Sequence, residues 1–115
     1  MTTTESEPES MTEPEPERVR LDELDGAPHA VVFEHDAPRT IRLTLESDQQ
    51  LPAHRHPDTD IVCHLVEGEL DLALDGESHH LTAGDLLRFS GDHEIAPTAI
   101  EDSVAVLVFA PQETD

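Results

Sequence analysis

The chain has 115 residues, with 27 Asp and Glu against six Arg, no Lys, and a formal charge of −21. That balance excludes nucleic acid and anionic membranes as partners, because both need positive charge to release counterions or meet headgroups; no apolar run reaches the ~18 residues of a membrane helix, and the N-terminus lacks the apolar stretch of a signal peptide. The lone Cys63 forms no intramolecular disulfide, which points to a cytoplasmic chain, and three Phe without Tyr or Trp leave little to stack on sugars, bases or flavins.

Residues 1–17 are Thr, Ser, Glu and Pro with almost no apolar side chains. Pro8, Pro14 and Pro16 oppose helix, and the glutamates repel one another, so nothing offsets the entropy of ordering. The expectation is a disordered acidic tail over 1–17 and a folded β domain over 18–115. Six of the 27 acids lie in the tail, so residues 18–115 keep 21 acids against six arginines, a net of −15. A surface this negative, without lysine, matches the composition of salt-adapted, halophilic proteins. Its self-repulsion in dilute buffer should be relieved by screening. The melting temperature should therefore rise with KCl up to molar levels, by roughly 4–8 °C for each kcal/mol of repulsion relieved. A flat or falling trend contradicts the salt-adapted reading.

From Val19 onward the pattern changes. Val19, Leu21 and Leu24 lead to Gly26 and Pro28, and Ala30-Val31-Val32-Phe33 is a short apolar run. Thr40-Ile41-Arg42-Leu43-Thr44-Leu45 alternates with period two, the mark of a half-buried strand. Residues 61–66 are strongly apolar and end at a turn or bulge, Glu67-Gly68. Leu70, Leu72 and Leu74 alternate with Asp71 and Ala73. Asp75-Gly76 signals a hairpin, since a type I′ turn needs positive φ at both central residues. The return strand covers 77–81, Ala83-Gly84-Asp85 turns the chain, 86–89 is a further strand, and Ser90-Gly91-Asp92 turns it again. Residues 104–109 form a last apolar strand, closed by Pro111. About nine short strands at roughly 8–12-residue spacing, with no amphipathic helix, predict an antiparallel sandwich or barrel. Pro57, Pro97 and Pro111 are expected at ladder ends. The predicted core takes Val31 and Phe33, the alternating apolar positions of the middle strands, and Val104, Val106 and Val108.

Between these strands stands Pro52-Ala53-His54-Arg55-His56-Pro57. Side chains at i and i+2 of an extended segment share a face, and neutral imidazole ligates Zn, Cu, Fe or Ni. His54 and His56 are thus a two-toothed clamp if that face meets a pocket, and a polar turn if it meets solvent. Arg55 faces the other way, toward a surface ion pair. His64 lies opposite the Ile61, Cys63, Leu65 face. His79 and His80 follow the hairpin and are expected exposed, while His29 and His35 adjoin turns and carry the weakest expectation of a role. Arg42 and Arg88 are strand arginines that either pair with surface acids or reach into the barrel to hold an anionic ligand.

With these motifs in order, residues 28–110 resemble a small single-domain cupin. The likeness rests on Pro52-Ala53-His54-Arg55-His56, on Leu65-Val66-Glu67-Gly68-Glu69-Leu70, and on Leu81-Thr82-Ala83-Gly84-Asp85-Leu86. It implies an all-β fold, a single cupin-type jelly-roll barrel with two motifs flanking a pocket. It also implies a divalent transition metal (Fe, Mn, Zn, Cu or Ni), held by two histidines and a glutamate of the first motif and a third histidine of the second. The paired histidines map to His54 and His56. The glutamate position falls on Asp60 counting forward from His56, and on Ile61 counting back from Gly68. The third histidine falls on Ile95 counting from Gly84, with His93 two residues earlier on the same face of an extended segment. Ser90-Gly91-Asp92 stands where the family has a Pro-x-Gly turn. The candidate metal ligands are therefore His54, His56, Asp60 and His93.

If Asp60 or His93 joins the pair, the likeness implies a metal-dependent enzyme of the dioxygenase or isomerase class acting on a small polar or anionic substrate. If neither joins, it implies a barrel that binds a small molecule or metal without catalysis, or a non-catalytic sensor or interaction module. Cupins often pair through shared strands, and residues 104–109 are apolar on both faces. A homodimer is the expected assembly.

Overall fold

In a computed structural model of the chain, residues 16–34 and 37–112 are described; the tail over residues 1–15 and His35 lie outside them. Eight strands follow in order: β1 (His29–Phe33), β2 (Arg39–Leu45), β3 (Thr59–Glu67), β4 (Glu69–Leu74), β5 (Glu77–Thr82), β6 (Leu86–Ser90), β7 (Ile95–Ala99) and β8 (Ser103–Pro111). They pair antiparallel in two sheets, one ordered β1-β2-β8-β3-β6 and the other β5-β4-β7. No α-helix occurs among the described residues, only a 3-10 turn at Leu21–Glu23. This is the expected all-β jelly roll. At the β4–β5 hairpin Asp75 and Gly76 both take positive φ, 53° and 85°, as the turn type demands.

Strand alternation decides what the sheets enclose. The larger sheet turns Ile41, Leu43 and Leu45 of β2 and Ile61, Cys63 and Leu65 of β3 inward, against Leu70, Leu72 and Leu74 of β4. Leu65, Leu70 and Cys63 have no exposed surface. Burial pushes the Cys63 thiol up to about 12, so it packs as a small apolar group, not as a nucleophile.

Three strands differ from the sequence reading. In β8 the inward residues are Ser103, Ala105, Leu107 and Phe109, so the expected core positions Val104, Val106 and Val108 are one residue out. These valines are half-buried on the outer face, where Val106 lies opposite His64 and Val108 opposite Val62. In β1, Ala30 is buried and Val31 is 52% exposed. β7 is a strand where none was expected, with Pro97 at its centre, not at a ladder end. Pro97 supplies no N–H, which an outer strand tolerates, and its carbonyl still accepts from Leu51 N–H at 3.0 Å.

Arg42 does not reach into the barrel. It lies on the outer face of β2, 9% exposed, and its guanidinium donates to the carbonyls of Leu21 (2.5 Å), Leu24 (3.3 Å) and Gly26 (2.8 Å). The arginine thus pins the segment ahead of β1 across the sheet.

Candidate functional site

Residues 48–54 run beside β7 as an irregular extra strand. Asp48 N–H donates to Ala99 O and Ala99 N–H to Gln49 O, both at 2.9 Å. His54 and Ile95 exchange both backbone bonds, His54 N–H to Ile95 O (3.2 Å) and Ile95 N–H to His54 O (2.9 Å). Directly opposed residues of such a pair share a face, so His54 is aimed inward beside buried Ile95. The next residues are held from the other side. His56 N–H donates to Gly91 O at 2.8 Å, and Gly91 N–H donates to Thr59 O at 2.6 Å.

Both imidazoles reach one cavity of about 310 Å³ between the sheets. The rings of His54 and His56 meet edge to face, centroids 4.9 Å apart, and His56 meets Phe109 the same way at 5.1 Å. Nδ1 of His54 is 3.2 Å from the Pro52 carbonyl, which can only accept, so this nitrogen carries a proton. Two further polar residues line the cavity: His29 of β1 and Arg39 of β2. The Arg39 guanidinium sits over the Phe109 ring, 5.8 Å from its centroid. The rest of the lining is apolar.

Burial lowers the pKa of both His29 and His56, and the nearby His54 and Arg39 lower them further. Both imidazoles are therefore neutral at pH 7. Their protonation costs more in the folded chain than in the unfolded one, so stability is full above the ordinary value of 6.5 and declines as the pH falls through it.

The other two candidate ligands lie elsewhere. Asp60 precedes inward Ile61 and so faces out, where Arg88 donates to its carboxylate at 2.9 Å. His93 Nδ1 is 2.6 Å from the Asp75 carboxylate at the hairpin end. This contact, with the Glu94 N–H bond at 2.8 Å, holds the Asp75 carboxyl below the usual range. The two positions reached by the alternative counts, Ile61 and Ile95, both line the cavity. Where the likeness would place a carboxylate and a third imidazole, this chain has isoleucine. Among the described residues no group of three or more His, Cys, Asp or Glu is placed to hold a metal ion. The donor set does not fit the four-ligand centre, and His29, though it lines the same cavity, forms no three-ligand group with His54 and His56.

His29 and Arg39 were missed, though a signal for each was present. His29 shares its period-two face with Val31, and Arg39 shares its face with Ile41, Leu43 and Leu45. Arg55 behaves as expected, bonding Asp92 O at 3.0 Å and lying 4.0 Å from the Glu94 carboxylate.

The jelly roll and its paired inward histidines define a class, and sequence comparison agrees. A family profile described as a cupin domain matches residues 41–111, more than half of the chain. The chain belongs to the cupin family. No curated relative matches the sequence. Among solved structures, KdgF from Halomonas sp. is similar at 19% identity and TM-score 0.72, over 88% of this chain and 98% of that one. An uncharacterized protein with a double-stranded β-helix domain from Klebsiella pneumoniae is similar at 21% identity and TM-score 0.73, over 88% and 95% of the two chains. A predicted oxalate decarboxylase from Thermotoga maritima is similar at 15% identity and TM-score 0.72, over 83% and 99%. Likeness at these identities establishes the fold alone.

Proposed function

We propose that this cupin binds a small molecule inside its barrel and that the cavity, not a metal centre, is its working part. The observation that carries the reading is the cavity itself: about 310 Å³, apolar in its depth, with His54 and His56 converging on it. Ligand sites of this kind are mostly apolar with a few oriented polar groups. Ile61 and Ile95 in the lining favour an organic body over a metal ion, because an alkyl side chain offers a metal no lone pair.

The test is a fragment panel read by thermal melting, with and without EDTA. A fragment at a hundred times its Kd adds about 2.7 kcal/mol to stability, enough to raise the melting temperature by roughly 10 °C or more. The expected result is such a rise, unchanged by EDTA and reduced in His54→Ala. A rise that EDTA abolishes and Fe, Mn or Zn restores contradicts it, and would favour the metal-dependent enzyme.

A further inference from the structure

The cavity's polar groups are all of one kind. Among the described residues no Asp or Glu lines it, and its four polar residues are three histidines and an arginine. The remaining cations are committed elsewhere or lie off the cavity. Arg20 pairs with Asp22 and Glu23, Arg55 with Glu94 and Arg88 with Asp60, while Arg42 is spent on backbone carbonyls. Arg39 has no carboxylate within ion-pair distance among the described residues. Asp58 shares a shallow rim depression with Arg39 and His56 without closing a pair.

Geometry gives the cation a task. Arg39 opens the face on which Ile41 and Leu43 follow, so its guanidinium stands at the cavity's polar end and the aliphatic lining begins one position deeper. Its guanidinium carbon lies 5.8 Å from the Phe109 ring centroid, within cation–π range, and Arg39 is exposed where the cavity opens. His29 and His56 lie close enough to Arg39 for its charge to be felt at both rings. A ligand that complements this arrangement has a negative head and an apolar body. The net charge of the chain repels anions at a distance, so selection must come from these local groups.

We propose that the cavity selects small monocarboxylates with an apolar body, the carboxylate lying on the Arg39 guanidinium among His29, His54 and His56. This rests on the cavity being a ligand site, and adds the class of ligand. The full chain is titrated at fixed ionic strength with hexanoate and with 1-hexanol, which share a body and differ in the head. Charge-assisted bonds to a guanidinium predict that hexanoate binds roughly tenfold or more tighter. Arg39→Gln should bring hexanoate down to the alcohol's level, and Arg39→Lys should keep part of the preference. Each variant's own melting transition reports its folding. Equal binding of the two probes, or a preference that survives Arg39→Gln, overturns the ligand class and leaves the ligand site standing. Binding of neither probe overturns both.

Discussion

Gly68→Ala will lower the stability of the fold by about 3–5 kcal/mol, near the top of what single substitutions do. Gly68 is the only residue between β3 in one sheet and β4 in the other, and its φ of +91° lies where a side chain is strained. That conformation alone costs an L-residue about 1–2 kcal/mol. Space costs more. A Cβ at Gly68 would press into the Asp102 carbonyl oxygen and lie 2.5 Å from Ser103 Oγ and 2.8 Å from Ser103 Cα. Those are mostly backbone atoms, tied down because the single Ser103 hydroxyl proton is shared between the carbonyls of Glu69 (2.9 Å) and Glu101 (2.7 Å). A domain of this size has only about 5–15 kcal/mol in total. The melting temperature in molar KCl should drop by more than about 10 °C. A change within about 2 °C would mean that the sheet-to-sheet crossing is not as tight as described.

Gly91→Ala will damage the site more than the fold. Gly91 is buried beneath the histidine segment, bonded to His56 N–H on one side and Thr59 O on the other. A Cβ there would collide with the His56 carbonyl and lie 2.9 Å from Thr59 O and 3.0 Å from His56 Cβ. The neighbour that must give way is the backbone of the site itself. Relief by moving His56 outward breaks its edge-to-face contacts with His54 and Phe109. The expected result is a stability loss of about 1–3 kcal/mol, as overpacking usually costs, together with a fall in ligand affinity of roughly tenfold or more from the displaced ring. Gly68→Ala is the control: below its melting temperature it should bind ligand as the parent does. Equal affinity in Gly91→Ala and the parent would show that His56 is not positioned from beneath.

The sequence told most where neighbouring residues contrast. In β2 and β4 apolar and polar positions alternate, so faces and registers could be read directly. β8 offers no such contrast: Val104, Leu107 and Val108 are equally apolar, and a slip of one residue exchanges the faces. What placed Ser103 and Ala105 inside was pairing with β3, whose register shifts between Leu65 and Glu67. β7 was hidden by Pro97, since proline argues against a strand until its neighbours are known. At the site, His54 and His56 were legible because a two-residue spacing is a local fact. The choice between Asp60 and Ile61 was left open by the sequence, and the structure settles which side chain faces in: Ile61, on the face of Cys63, with Asp60 outside on Arg88. The convergence of His29 and Arg39 on the histidine pair was not legible as a cluster. It joins β1, β2 and residues 54–56, which meet only when the barrel closes.

The account stands on a ligand entering between the sheets, where His54 and His56 point. The most direct measurement is the methyl and imidazole NMR spectrum of the full chain as hexanoate is added. Ile61 and Val62 are adjacent on β3 and face opposite ways, so their methyls report inside and outside. The predicted result is shifts at Ile41, Ile61, Leu72 and Ile95 and at the ring nitrogens of His54 and His56, with Val62, Val104, Val106 and Val108 unmoved. Shifts confined to the outer valines, or none at saturating hexanoate, would contradict it.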